Sequence, residues 1–287
     1  MLDGRQMLDI YHVFLYVIKR CRDILSSDDY HSLHNQLLDI YTNHHEYKCY
    51  NITRKFSNER RVNQPSWIAH SIDTGYVIRQ CLGIRRLTEP FEPRPGREIY
   101  SIYQVLGIIE QYRDLFTRKN YRRMYSDECR YGSQHKRTQR AIANRRMNEM
   151  LVNAQGAGSP TDIISLEYIN SIKATLKPTE SFRRYANKWL AHGADPKNRG
   201  SFPKIKYEDF EITYAAISKA IQMMSVTMLN VSTTSLPVVY AGDIFKDFDA
   251  PICNTGDLDR LYHFHSLHNQ YLAKVFQGVE KPRDISV

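Results

Sequence analysis

Residues 183–193, Arg-Arg-Tyr-Ala-Asn-Lys-Trp-Leu-Ala-His-Gly, combine cations, an amide and one histidine within a predicted helix. At about 3.6 residues per turn, Arg184, Lys188 and His192 lie at i, i+4 and i+8 and form one slowly drifting stripe. A histidine beside two cations can exchange protons with a phosphate ester while the cations hold its charge. The spacing predicts a phosphate site with His192 as the acid or base. The alternative is that His192 only contacts the carbonyl groups at the end of its own helix.

A second candidate site is the strongly basic segment from Arg118 to Arg146. Ten lysine and arginine residues stand there against two acidic residues, so its charge is 10 − 2 = +8, while the whole chain carries +9. Tyrosines are interleaved with the cations, a mixture that can follow a phosphate backbone and stack on unpaired bases. A solvated helix face without a ligand is the alternative. The predicted RNA-binding residues are Arg118, Lys119, Tyr121, Arg122, Arg123, Lys136, Arg137 and Arg140.

The composition fits a globular protein of 287 residues with 42% hydrophobic residues, enough for one large domain or two small ones. Apolar runs fall short of the about 20 residues that cross a bilayer, and the N-terminus lacks the pattern of a signal peptide. The five cysteines are far apart and form no C-x-x-C pair. We therefore expect a cytoplasmic protein without membrane insertion, disulfides, metal or cofactor.

Apolar spacing at a helical period predicts an all-α fold. The clearest predicted helices cover residues 10–24 and 206–231, and proline and glycine predict loops at 90–96 and 155–160. Thr161 or Asp162 is the expected N-cap of the helix after the second loop. Further helices are predicted over 29–47, 66–87, 101–117, 161–175, 179–192 and 256–272. We expect one helical bundle over 1–232 and an irregular C-terminal extension over 233–287, with a short strand within 231–240.

The hexapeptide His-Ser-Leu-His-Asn-Gln occurs twice, at residues 31–36 and 265–270. Two His-x-x-His pairs on helices can complete a tetrahedral metal site if the helices meet. Four-histidine sites without a carboxylate or thiolate are uncommon, so polar helix surface is the favoured interpretation of both copies. The adjacent His44 and His45 point in different directions on a helix and are also expected at the surface.

Two segments resemble one known family. The first is Ile84-Arg-Arg-Leu-Thr-Glu-Pro90, followed after a loop by Ile99-Tyr-Ser-Ile-Tyr-Gln-Val-Leu106. The second is Tyr185-Ala-Asn-Lys-Trp-Leu-Ala-His-Gly193, with its Asn-Lys, apolar and Ala-His elements. Together they resemble HEPN-fold proteins of the abortive-infection AbiU branch, over roughly residues 5–231.

The resemblance implies an antiparallel HEPN-like helical bundle that forms a homodimer, with the signature helices of both subunits at one cleft. It also implies a metal-independent ribonuclease that acts as a toxin or antiviral effector on RNA, with an antitoxin or defence-complex partner. A catalytically inactive HEPN subunit that binds nucleic acid or protein is the alternative.

The same resemblance suggests roles for individual residues. His192 would move protons between the 2′-hydroxyl, the phosphate and the leaving oxygen, and Asn187 would place the backbone or the histidine. Ala186 stands where the family signature has an arginine. Lys188 or Arg184 would then supply the missing cation.

Overall fold

The computed structural model describes residues 4–27, 29–56, 67–92, 99–129, 133–151, 158–191, 205–231 and 255–276. The fold is all-α, as the apolar periodicity predicts. Ten α-helices account for most of these residues, and no strand occurs among them. A single bridge, between Thr117 and Ile163, is the extent of their β pairing. No helix in the described ranges is long and apolar enough to cross a membrane.

The helices follow one another along the chain with short 3-10 and π segments between them. In chain order they are α1 (Gly4–Ser26), α2 (Leu33–Phe56), α3 (Trp67–Leu87), α4 (Ile102–Gln111), α5 (Arg118–Asp127), α6 (Ser133–Met150), α7 (Leu166–Thr175), α8 (Glu180–Tyr185), α9 (Tyr207–Gln222) and α10 (Thr255–Phe276). The 3-10 segments are Arg113–Leu115 and Lys177–Thr179, and the π segments are Ala186–Ala191 and Met223–Met228.

The chain forms two compact units, and neither is one continuous stretch. The first contains residues 1–34, 88–177 and 219–233, and the second contains residues 35–87, 178–218 and 234–287. The C-terminal extension predicted over 233–287 is thus grouped with the second unit from residue 234 onward. The helix predicted over 256–272 is present as α10, while the predicted strand lies outside the described residues from position 232 onward.

The core of the first unit is built around aromatic side chains of α1 and α5. Phe14 of α1 meets Phe116 edge to face at 5.5 Å between ring centroids, and it lies 5.8 Å from the ring of Tyr121. The Tyr121 hydroxyl donates to the carbonyl of Met228. Arg22 of α1 donates through Nε to the carbonyl of Leu229 at 2.7 Å. These contacts hold α5, which contains much of the basic segment, against α1 and the Met228 backbone.

Side-chain caps set the starts of three helices in this unit. Ser101, Thr117 and Ser165 accept hydrogen bonds from backbone N–H groups in the first turns of α4, α5 and α7. Such caps satisfy N–H groups that have no partner within the helix. The predicted cap of α7, at Thr161 or Asp162, is therefore wrong, because Ser165 has this role.

The second unit packs α2 and α3 closely through Gly83 of α3. A Cβ atom at Gly83 would lie 2.2 Å from Cγ2 of Ile40, so only glycine permits this approach. Beside it, Gln80 donates to the carbonyl of Ile40 at 3.0 Å and accepts a hydrogen bond from the Tyr214 hydroxyl. Buried polar groups are therefore paired across three helices of this unit.

Cys21, Cys49 and Cys81 are buried thiols that form no disulfide. Burial raises the pKa of Cys21, Cys49 and Cys81 to about 12. Thiolates are the reactive form of cysteine, so these three side chains are inert packing groups.

Candidate functional site

The first candidate site, the Arg184–His192 stripe, changes helix type halfway along. α8 ends at Tyr185, and residues Ala186–Ala191 form a π segment. A π-helix bonds residue i to i+5 instead of i+4, so residues beyond Tyr185 are rotated away from their α-helical positions. The α-helical spacing from which the stripe is predicted therefore does not apply over Ala186–Ala191.

Three of the four predicted catalytic residues are described in this stretch. The side chains of Arg184 and Asn187 are exposed, and that of Lys188 is half-buried. His192, the predicted acid or base, lies outside the described residues. Its proximity to the other three thus stays a prediction.

Ala186 marks the position where the family signature has an arginine, and its side chain is fully buried in the second unit. A guanidinium at this position would need a buried partner for its charge. An arginine at this buried position would have no access to solvent. Arg184 and Lys188 remain the cations nearest to it in sequence.

The basic segment forms two helices, α5 and α6, which pack against each other in the first unit. The start of α5 meets the end of α6, because the Arg118 guanidinium donates to Asn148 at 2.7 Å. The end of α5 meets the middle of α6, because Arg140 Nε donates to Ser126 Oγ at 2.9 Å. The two helices therefore run antiparallel, and we call them the basic hairpin.

Two of the eight predicted RNA-binding residues lie in the interior of the first unit. Arg118 is 2% exposed and Tyr121 is fully buried. Arg118 pairs with Asp162, and Tyr121 bonds to the Met228 carbonyl, so both side chains are committed to the fold. Neither is available to contact RNA in this conformation, and we correct the predicted list accordingly.

The other six predicted residues reach the surface of the basic hairpin. Arg122 is half-buried, and the remaining five are exposed. Lys119, Arg122, Lys136 and Arg137 form no ion pair within the described part of the chain. Exposed cations that are not neutralised by carboxylates are the groups that bind nucleic-acid phosphates.

A pocket of about 400 Å³ opens on the basic hairpin. Four cations line it, together with a carboxylate, a hydroxyl and a proline, so its charged side chains sum to 4 − 1 = +3. The lining residues are Lys119, Arg122, Arg123, Ser126, Asp127, Arg140 and Pro160. The α5 members recur at i, i+3, i+4, i+7 and i+8 and so share one helix face.

One cation of this pocket is already engaged. The Arg123 guanidinium lies 3.8 Å from the ring centroid of Tyr11, and its Nε is 3.6 Å from the Asp127 carboxylate. The Tyr11 hydroxyl donates to the same carboxylate at 3.0 Å. Burial and this carboxylate raise the pKa of Tyr11. Arg123 thus neutralises Asp127. The other three cations, Lys119, Arg122 and Arg140, can therefore interact with an anionic ligand.

Two histidines of α2 lie in the interior of the second unit, so their predicted surface positions are wrong. His44 is fully buried and His45 is 4% exposed. Nδ1 of His45 is 2.9 Å from Nδ1 of His268, in the second copy of the hexapeptide, and the His265 ring is 4.6 Å from that of His45. In the first copy, His31 precedes α2 and its side chain is exposed.

The described histidines do not form the four-histidine metal site that was the less favoured interpretation of the two hexapeptides. No group of three or more His, Cys, Asp or Glu side chains in the described ranges has an arrangement that could hold a metal ion. His45 instead contacts the thiol of Cys49, with Nε2 at 3.7 Å from Sγ. The second hexapeptide therefore contributes a packing contact between α2 and α10.

Comparison of the chain with protein-family models, curated proteins and solved structures finds no match. The functional assignment therefore depends on the two candidate sites alone.

Sequence reasoning missed the residues that shape the pocket. Asp162 and Asn148 hold Arg118, and the carbonyl of Pro160 accepts from the Lys119 N–H at 3.0 Å. Asp162, 44 positions after Arg118, is an acidic residue that could have indicated an ion pair. Sequence spacing does not show which cation it contacts.

Proposed function

We propose that the protein binds RNA through the basic hairpin. The single observation that carries this proposal is the pocket with three cations, Lys119, Arg122 and Arg140, that no described carboxylate neutralises. Lys136 and Arg137 extend the positive surface along the exposed start of α6. Affinity should come chiefly from the phosphate backbone and fall steeply as salt is raised.

Base stacking contributes little to this proposal. Tyr121 and Tyr125 of the basic hairpin are buried, so neither offers a ring face to a base. Backbone contacts carry little sequence information, and we therefore expect binding with weak sequence preference.

The test is a titration of labelled single-stranded RNA, followed by fluorescence anisotropy over a range of salt concentrations. The variant reverses the charges of Lys119, Arg122, Lys136 and Arg137, none of which has an ion pair to lose in the described structure. The expected result is weaker binding at every salt concentration, with a salt slope that is smaller by about 0.7 for each phosphate contact removed. Reversal of Lys177 and Lys219, two exposed lysines off the hairpin, is the control. Unchanged RNA affinity in the hairpin variant would contradict the proposal.

A second candidate function is ribonuclease activity at His192, of the metal-independent HEPN type that the sequence resembles. The observation that favours it is the π segment Ala186–Ala191 directly before His192, because π-helical turns are frequent at functional sites. We propose that His192 transfers protons, that Asn187 positions substrate or histidine, and that Arg184 or Lys188 holds the phosphate charge. The active form would be a homodimer, with an antitoxin or another defence protein as partner.

Incubation of the pure protein with pooled RNA in EDTA tests this activity. Cleavage should be lost in His192→Ala and kept in His263→Ala, which alters an exposed histidine of α10. The products should carry a cyclic phosphate, since the 2′-hydroxyl is the attacking group. Intact RNA after incubation with folded wild-type protein would remove the ribonuclease proposal and leave the RNA-binding proposal standing.

A further inference from the structure

The pocket on the basic hairpin has walls that are fixed by hydrogen bonds from one buried side chain. Arg118 donates through Nε to Asp162 Oδ2 at 3.0 Å, through Nη2 to Asn148 Oδ1 at 2.7 Å and through Nη1 to the Asn144 carbonyl at 3.3 Å. These contacts join α5 to α6 and to the loop that contains Pro160. The pocket is therefore formed before a ligand arrives, which lowers the cost of binding.

The backbone reinforces the same wall. The N–H groups of Arg118 and Lys119 donate to the carbonyls of Asp162 and Pro160 at 2.9 and 3.0 Å. Gly158 adopts φ +54° and passes close to the Arg118 guanidinium, since a Cβ there would lie 3.5 Å from Cζ. The loop that closes the pocket is thus fixed at both its backbone and its side chains.

The polar groups of the pocket divide into two sets. Ser126 donates to the carbonyl of Arg122 at 2.7 Å and accepts from Arg140, so it orients that guanidinium and has no hydrogen to offer a ligand. Asp127 is held by Arg123 and Tyr11. Lys119, Arg122 and Arg140 remain as donors, and all three are cationic.

We propose that this pocket binds a dianionic phosphomonoester, which is the terminal phosphate of an RNA strand if the proposed RNA binding holds. A monoester carries about −1.5 to −2 charges at neutral pH and offers three acceptor oxygens, whereas an internal phosphodiester carries a single charge. The former matches three donor cations and a net charge of +3. A volume of about 400 Å³ holds a phosphate with its attached sugar, and the cationic lining selects the phosphate end.

The experiment compares RNA oligonucleotides of one sequence that carry a 5′-phosphate, a 3′-phosphate or hydroxyls at both ends. One phosphorylated form should bind about tenfold or more tightly than the hydroxyl form, as expected for an added charge-assisted hydrogen bond or two. The preference should shrink as pH falls through about 6, where the monoester takes up a proton. Thermal unfolding with inorganic phosphate or adenosine monophosphate shows whether free phosphate or a free phosphomonoester binds the protein.

Two variants separate this inference from the proposed function on which it rests. Lys119→Met with Arg122→Gln should abolish the preference for the phosphorylated end and the stabilisation by free phosphate. Lys136→Gln with Arg137→Gln should weaken all oligonucleotides by the same factor and leave the preference unchanged. Equal affinity for all three oligonucleotides would overturn the phosphomonoester pocket while RNA binding stood. Stabilisation by adenosine monophosphate without any binding of RNA would retain the pocket and overturn its RNA ligand.

Discussion

The guanidinium of Arg118 and the carboxylate of Asp162 form an ion pair at 2.9 Å that joins α5 to the loop before α7. Arg118 is 3% exposed in its side chain and Asp162 is 24% exposed. Replacement of a nearly buried ion-pair partner leaves the other charge uncompensated. The pair therefore has more influence on the fold than the exposed charges of the same segment.

Arg118→Met should lower the free energy of unfolding by about 3 kcal/mol. This is the lower end of the range found for breaking buried ion pairs, because Asp162 is partly exposed. Urea unfolding followed by circular dichroism measures it. Arg145→Met is the matched control, because Arg145 pairs with Glu149 on the exposed face of α6. Such exposed pairs contribute at most about 1 kcal/mol. Equal effects of the two substitutions would show that the Arg118 contacts do not hold the loop.

The buried histidine pair predicts a loss of stability in acid. Burial, the neighbouring histidines and Lys48 lower the pKa of His45 to about 3 and also lower that of His268. In the unfolded chain both take up a proton near pH 6.5. Stability is therefore present above about pH 6.5 and falls as the pH drops below it, by about 1.4 kcal/mol per pH unit for each histidine.

The melting temperature between pH 7 and pH 4 checks this expectation. His45→Leu with His268→Phe should flatten the pH dependence, since Phe264 already stacks on the ring of His268 and can stack on phenylalanine. His263→Ala, at an exposed position of α10, should leave the slope unchanged. A double variant with the wild-type slope would assign the acid sensitivity to other groups.

Tyr121→Phe separates a structural from a nucleic-acid role of that side chain. Its hydroxyl donates to the Met228 carbonyl, so the substitution leaves a buried acceptor without its donor and should cost about 1 to 3 kcal/mol of stability. Affinity for RNA should stay unchanged, because the ring is fully buried. Chemical unfolding and anisotropy titration on the same preparation measure both. A loss of RNA affinity without a loss of stability would return Tyr121 to the binding residues.

Ala186→Arg places an arginine where the HEPN signature has one and should not raise ribonuclease activity. The position is fully buried, so a guanidinium there should destabilise the second unit by several kcal/mol. Ala174→Arg, the same change at an exposed position of α7, adds a cation at little cost in stability and outside the proposed catalytic residues. Thermal unfolding and RNA cleavage compare the two. An active and stable Ala186→Arg protein would contradict the observed burial of that site.

The helices could be predicted where one helix face is apolar. Of the α1 residues at helical apolar spacing, Phe14, Val17, Cys21 and Ile24 lie in the core of the first unit, whereas Ile10 and Val13 are exposed. The type of helix could not be predicted from the sequence, because an apolar period near 3.6 residues does not distinguish α8 from the π segment that follows it. The resulting rotation affects the residues on which the stripe was built.

Which cation of a charged segment turns inward could not be predicted from the segment itself. Arg118 is buried because Asp162 and Asn148 meet it, and both lie elsewhere in the sequence. The burial of His45 similarly depends on His268, 223 residues later. Long-range partners decide these positions, and no local spacing contains them.

The hydrogen bonds of Arg118 also couple binding in the pocket to the packing of the first unit. These hydrogen bonds tie α5, α6 and the Pro160 loop together, so loosening any of the three opens the pocket. A ligand that binds only when these three elements are packed together stabilises their packing. By thermodynamic linkage, the free energy of this stabilisation equals the free energy that the packing contributes to the ligand's affinity. Binding of an anion in the pocket and packing of the surrounding helices are thus thermodynamically coupled.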